Sequence, residues 1–263
     1  MPTEKNNDQW RPPSHVAPEG MINGILFNLR LIFDLQVHTV YYSIRRQLQE
    51  ASGHVLEVGP GDQPYVHLLP KGVHYQALDW EGAEKCFSYK AANVVYYDGE
   101  NFPFDNQTFD LVYHTEVLEH IYKTQNFINQ CFRVLKDGGR MIFTVPFSAR
   151  VHYIPHDYWR FTPFALRKLL EESGFKDIVI EPRGNDITVA MVKLNTVLFR
   201  LMFYPHRQLL LKAINVVIAG LLSAPFILIF TACAYLALMF RLGSCDDPLG
   251  YSVFCRKQEK VVS

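Results

Sequence analysis

Residues 55–64 read VLEVGPGDQP. An apolar strand reaches an acid, Glu57, and then runs into a turn that carries Gly59 and Gly61. Glycine has no Cβ and tolerates φ > 0, so the backbone of such a turn can come close to a ligand. The dinucleotide fingerprint requires a third glycine at the sixth position of the turn, where this chain has Pro64. No Gly-Lys-Ser/Thr of a phosphate loop follows. The pattern fits a ligand that has a ribose and an adenine but no phosphates; the plain alternative is a tight turn.

Outward from this turn, apolar stretches alternate with helical ones in the order of βαβ units, which predicts a parallel sheet flanked by helices. The first strand is His54–Val58. The second, Val73–Leu78, ends at Asp79, and the third, Asn93–Tyr97, ends at Asp98. The fourth, Leu111–His114, leads into EVLEHI, and the fifth, Met141–Val145, follows an Asp137-Gly138-Gly139 turn. Open α/β sheets bind ligands at the carboxyl ends of their strands, so Glu57, Asp79 and Asp98 are expected on one rim. Taken singly, Asp79 and Asp98 also suit ordinary strand-end turns. Glu57 is an acid in an apolar strand and needs a partner once buried.

The combination of LEVGPGDQP, Asp79, DGENFPFDNQTFDLVYHTEVLEHI (Asp98–Ile121) and LKDGGRMIFTVPF (Leu135–Phe147) resembles class I S-adenosylmethionine-dependent methyltransferases of the broad small-molecule type. The likeness runs from about residue 50 to 182 and resumes in DPLGYSVFCRK, Asp247–Lys257, which resembles the last strand of that fold. It implies a doubly wound, seven-stranded Rossmann-like α/β sheet with its last strand antiparallel. It also implies S-adenosyl-L-methionine as cofactor: Glu57, Gly59 and Gly61 at the methionine part, Asp79 at the ribose, Asp98 with Gly99 at the adenine.

Methyl transfer makes modest demands on side chains, because the sulfonium already activates the methyl group. The protein has to hold a nucleophile in line in a dry pocket. No metal is required. A general base helps only for some acceptors, and histidine suits that task near neutral pH. The segment Val151–Pro163, VHYIPHDYWRFTP, carries His152, His156, Asp157, Tyr158 and Arg160 after the fifth strand and reads as a substrate lid. The competing reading is an ordered loop held by its own aromatics. His156 is the first candidate base and His120 the second; Glu119 and His120 either cap a helix or line the substrate site. Beyond the lid, Thr162 and Pro163 open a helix that Gly174 ends, and a sixth strand follows at Asp177–Ile180.

The chain divides into a polar, flexible tail (1–20), an amphipathic helical segment (21–50) and a methyltransferase domain (51–257). Lys+Arg and Asp+Glu are equal at 26 each, which argues against a nucleic-acid partner. Five cysteines without a CxxC read as free thiols in a reducing, cytoplasmic setting. An apolar helical insertion (186–246) separates strands 6 and 7. Within it Ala213–Phe240, 28 residues, holds no charge and exceeds the roughly 20 residues that span a bilayer. If both ends return to one sheet, a single crossing is excluded, and Pro225, near Gly220 and Ser223, offers a break for a monotopic hairpin. Arg207, Lys212 and Arg241 flank the run as expected for two cytoplasmic ends, and Val197–Tyr204 suits a membrane interface. Buried helices in a soluble protein remain the alternative. The expected function is methyl transfer to a small or lipid-linked acceptor at a membrane face. A membrane-attached, non-catalytic scaffold comes second, and a nicotinamide dehydrogenase is disfavoured by Pro64.

Overall fold

The structure is a computed structural model that describes residues 15–87, 89, 93–202 and 209–259. Most of the expected tail, residues 1–14, lies outside the described residues, as does Arg207; of the Lys212 side chain nothing is described. Contacts divide the chain into two units, residues 1–181 with 250–263, and residues 182–249.

The first unit is built on the sheet. Its N-terminal helical segment is two helices, α1 (Gly20–Phe33) and α2 (Leu35–Gln49), because Asp34 ends one and caps the other by accepting from Val37 N at 3.2 Å. The alternating elements β1 (His54–Val58), β2 (His74–Trp80), α3 (Ala83–Phe87), β3 (Val94–Tyr97), β4 (Phe109–Thr115), α4 (Thr124–Val134), β5 (Leu135–Pro146), α5 (Pro163–Glu172), β6 (Lys176–Arg183) and β7 (Gly250–Arg256) form a seven-stranded sheet in the order β3-β2-β1-β4-β5-β7-β6. β1 pairs in parallel with β2 and β4, and β7 runs antiparallel to β5. On one face Leu56, Val112 and Phe143 pack with Ile128 of α4 and Leu166 and Leu170 of α5; on the other, Val55, Leu111 and Ile142 pack against Val40, Ile44 and Leu48 of α2. Successive strand side chains point to opposite faces, which is why these strands read as unbroken apolar runs. α5 starts as its sequence indicates: Thr162 Oγ1 accepts from Ala165 N at 3.3 Å, with Pro163 in the first turn.

A local expectation changes within the sheet. The Asp137-Gly138-Gly139 segment does not precede β5 but lies inside it, where the register jumps from Phe109↔Leu135 to Leu111↔Arg140. Lys257, beyond β7, keeps the irregular stretch in the sheet: Gly138 N donates to Lys257 O at 2.8 Å and Lys257 N to Gly139 O at 2.9 Å.

The second unit corrects the expected break at Pro225. α7 (Leu209–Phe240) runs through Pro225 without ending, and the antiparallel partner is α6 (Asp186–Met202). Asn185 Nδ2 donates to Ala237 O at 3.5 Å, Asn195 Nδ2 to Thr231 Oγ1 at 3.0 Å, and Gly220 lies beside Met202, so the contacts progress in opposite senses along the two helices. A proline inside a helix costs one ladder hydrogen bond but is tolerated where neighbours support the backbone. Leu249 N donates to Arg183 O at 2.9 Å, so the insertion begins and ends side by side.

Candidate functional site

The carboxyl edge of β1, β2 and β3 collects the residues singled out in the sequence. Gly59 N donates to Leu78 O at 2.9 Å, which ties the glycine turn to the end of β2. Both glycines take left-handed φ, +68° at Gly59 and +53° at Gly61. A Cβ on Gly59 would lie 2.5 Å from Val117 Cγ2, whereas one on Gly61 would meet nothing within 4 Å. Gly61 therefore faces open space, the condition for a backbone that receives a ligand.

Glu57 is 1% exposed. Tyr75 donates to its carboxylate, Gln63 Nε2 in turn donates to Tyr75 Oη at 3.3 Å, and Tyr113, its neighbour across the β1–β4 ladder, lies against it. Burial raises its pKa to about 7, opposed by Tyr75 and Tyr113. Through this chain of bonds Glu57 anchors Gln63, which holds φ +54° in the glycine turn.

Asp79 is the penultimate residue of β2, which runs past the expected end at Leu78, and it pairs opposite Tyr96 of β3. It accepts from Trp80 N at 2.7 Å and from the Tyr89 hydroxyl. Burial raises its pKa to about 6, and its charge in turn raises that of Glu57. Asp98 follows β3 and is exposed, accepting from Glu100 N and Asn101 N at 2.8 Å each; these backbone donors hold its pKa below the usual carboxylate range. Gly99, at φ +85°, lies against the Trp80 indole. Glu57 and Asp79 thus share one electrostatic environment, whereas the Asp98 carboxylate folds back onto its own loop.

The segment from Val151 to Phe161 is tied to the turn after β4. Glu119 O accepts from Tyr158 N at 2.9 Å and Trp159 N at 3.2 Å, and Trp159 Nε1 donates to Ile121 O at 3.0 Å. Asp157 receives Arg160 in a two-pronged pair at 2.7 and 2.8 Å and His152 N at 2.9 Å. Burial would raise its pKa, but Arg160 and His152 outweigh that and hold it well below the usual carboxylate range. Asp157 is therefore an anchor within the loop. His156 lies over the β2 edge, its ring 5.8 Å from Trp80, its Nε2 3.7 Å from Cys86 Sγ and its Nδ1 3.4 Å from Tyr158 Oη. His120 is more enclosed; burial and then His152 lower its pKa to about 4, and its Nδ1 lies 2.6 Å from His156 O.

Tyr75, Trp80 and Tyr89 escaped the sequence reading, since aromatics in and after strands read as packing residues. The one available signal was Trp80 directly after the ribose-type acid. Glu116 also emerges: it holds φ +54° at the mouth of β4 and accepts from Gln36 Nε2 of α2 at 2.7 Å, which brings the N-terminal helices to the site.

A family model described as a methyltransferase domain matches residues 56–143, from β1 through most of β5. A Mycolicibacterium smegmatis protein named as a probable S-adenosylmethionine-dependent methyltransferase is 28% identical over 152 residues, 53% of this chain and 58% of its own length. The chain thus spans little more than half of that relative. A ubiquinone biosynthesis O-methyltransferase of Coxiella burnetii is 26% identical over 194 residues, 64% of this chain and 77% of its own. Among solved structures, an S-adenosylmethionine-dependent methyltransferase from Archaeoglobus fulgidus superposes with a TM-score of 0.52 at 16% identity, covering 89% of this chain and 99% of that one, and shares the fold.

Proposed function

Since the chain belongs to the class I S-adenosylmethionine-dependent methyltransferases, with S-adenosylmethionine as cofactor, we propose that it methylates a small or lipid-linked acceptor at a membrane face. The observation that carries the cofactor half is the meeting of the open Gly61 backbone, Asp79 and the Asp98–Gly99 loop on one sheet edge. In this reading the Gly59–Gly61 turn, braced by Glu57 through Tyr75 and Gln63, receives the methionine part. Asp79 accepts from the ribose hydroxyls in place of Tyr89. Asp98 and Gly99, with Trp80 beside them, border the adenine. The cofactor supplies a methyl group already activated on a sulfonium, so the protein's work is to position the acceptor and exclude water. The Val151–Phe161 loop serves as the lid. His156 is the better-placed base, since His120 is held far down in pKa and has one ring nitrogen against a backbone carbonyl.

The pKa of Asp79 predicts how cofactor affinity depends on pH. An acid raised to about 6 carries a proton below that pH and must release it before accepting two hydroxyl hydrogen bonds. The Kd for S-adenosylmethionine should be flat above pH 7 and weaken by about tenfold per unit below pH 6. Calorimetry in buffers of different ionisation enthalpy should detect the released proton, and an Asp79→Asn variant should lose the slope.

The acceptor half rests on the second unit and on the likeness to a ubiquinone biosynthesis enzyme. Val216–Phe240 is 25 residues, and its 18-residue apolar window has a mean hydropathy of 2.4 with only 17% of that window buried. At helical rise Val216–Phe240 is about 37 Å long, enough for the roughly 30 Å hydrocarbon layer. Yet Lys193 and Arg200 are exposed on the paired helix α6, and the insertion starts and ends together, which favours a hairpin seated in one leaflet with its cations at the interface. Wild-type protein should need detergent to leave a membrane pellet, and Leu222→Glu with Ile229→Glu should release it folded. A detergent-free soluble monomer of the wild type would rule out the lipid-seated hairpin. Transfer of labelled methyl from S-adenosylmethionine into a membrane extract, lost with Asp79→Ala, tests the function as a whole.

A further inference from the structure

Glu119 is the group that the methyl-transfer reading leaves unexplained. It is fully buried, and apart from its own backbone N–H neither carboxyl oxygen has a hydrogen-bond partner among the described residues. A carboxyl group in that position takes up either a proton or a cation. Two imidazoles are within reach: the ligand atoms that Glu119, His120 and His152 offer all lie within 4.8 Å of one another, and His120 Nε2 is 3.7 Å from Glu119 Oε1. Both rings are held from behind. His120 Nδ1 lies 2.6 Å from His156 O, which makes Nδ1 the donor and puts the lone pair on Nε2. His152 Nδ1 faces Asp157 Oδ2 and Arg150 O, each at 3.1 Å, so a cation held by His152 would take Nε2. A carbonyl behind one imidazole and a carboxylate behind the other are the outer partners that metal-ligating histidines carry.

We propose that Glu119, His120 and His152 form a binding site for a divalent transition-metal ion of the Zn2+ type, using one carboxylate oxygen and two imidazole nitrogens. Two nitrogens and one oxygen suit Zn2+ with a fourth position left open. Ligand atoms around Zn2+ sit about 3.3–3.5 Å apart, so a set that spans up to 4.8 Å must contract by up to about 1.5 Å, within the reach of side-chain rotation. The ligands come from two segments. Glu119 and His120 belong to the turn after β4, His152 to the lid loop, and the bound ion staples the loop to the sheet. Asp157, fixed by Arg160, orients His152 from the loop's own side.

Glu119, His120 and His152 are not among the residues assigned to the cofactor, so the site is tested without S-adenosylmethionine. Tag-free full-length protein, stripped with chelator and dialysed, is titrated with ZnCl2 by calorimetry, and metal content is measured after desalting. One equivalent is expected. Affinity should fall by about two orders of magnitude in Glu119→Gln and in His152→Asn, and should persist in His54→Ala/His74→Ala, which removes an exposed stacked histidine pair elsewhere. Zn2+ should slow proteolysis across residues 150–160 in the wild type but not in Glu119→Gln. Absence of stoichiometric binding by the wild type, or binding unchanged in Glu119→Gln, overturns the site. Cofactor binding and thermal unfolding of each variant show that the fold survives. Should His152→Asn fail to fold, the near-isosteric Glu119→Gln decides.

Discussion

Asp79→Ala is expected to abolish detectable binding of S-adenosylmethionine, weakening it by roughly 100-fold or more. Among the described residues at this edge the carboxylate is partly buried and accepts from the neighbouring backbone N–H of Trp80 within β2, so it is fixed before the ligand arrives. Two charge-assisted hydrogen bonds to vicinal hydroxyls contribute about 1.5–3 kcal/mol each, and about 1.4 kcal/mol corresponds to tenfold in affinity. Alanine also strands the Tyr89 hydroxyl, so some stability is lost; Asp79→Asn keeps a partner for Tyr89 while removing the charge. If both variants bind the cofactor like the wild type by calorimetry, Asp79 does not hold the ribose.

Gly59→Ala should be the most damaging substitution in the glycine turn, and for two separable reasons. A residue with a Cβ in the left-handed region costs about 1–2 kcal/mol, and the new carbon would press to 2.5 Å of Val117 Cγ2, adding about 1–3 kcal/mol of overpacking. Thermal unfolding should register the sum as a clear drop in Tm. Gly61→Ala carries only the backbone strain, since its Cβ would meet nothing. It should lose only the about 1–2 kcal/mol of that strain, less than Gly59→Ala, and lose cofactor affinity as well. The double variant Gly59→Ala/Val117→Ala should recover the steric part and leave the strain. Equal stability losses at the two glycines would show that packing against Val117 is not what sets Gly59 apart.

Where chemistry was local, the sequence could be read closely. β1 is read residue for residue, α5 is announced by Thr162 and Pro163, and alternation indicates a parallel sheet flanked by helices, while the antiparallel last strand follows from the family resemblance. Readings failed where a partner distant in the chain decides the outcome. Asp137-Gly138-Gly139 carries every mark of a turn, yet Lys257, more than a hundred residues on, pairs with it and keeps it inside β5. Pro225 is a helix breaker by itself, but α6 lies alongside α7 and supports it. The site divides the same way. Glycines and strand-end acids announce themselves by position, whereas Tyr75 bracing Glu57, or His152 meeting Glu119, depends on strand register and on where a loop folds back.

The single hydrogen bond between Leu249 and Arg183 has a consequence for how such a chain can vary. The helical hairpin leaves the chain after β6 and ends before β7, and these two strands are neighbours in the sheet. Lengthening, trimming or exchanging everything between them leaves the strand register untouched. The second unit is thereby free to diverge while the sheet stays as it is.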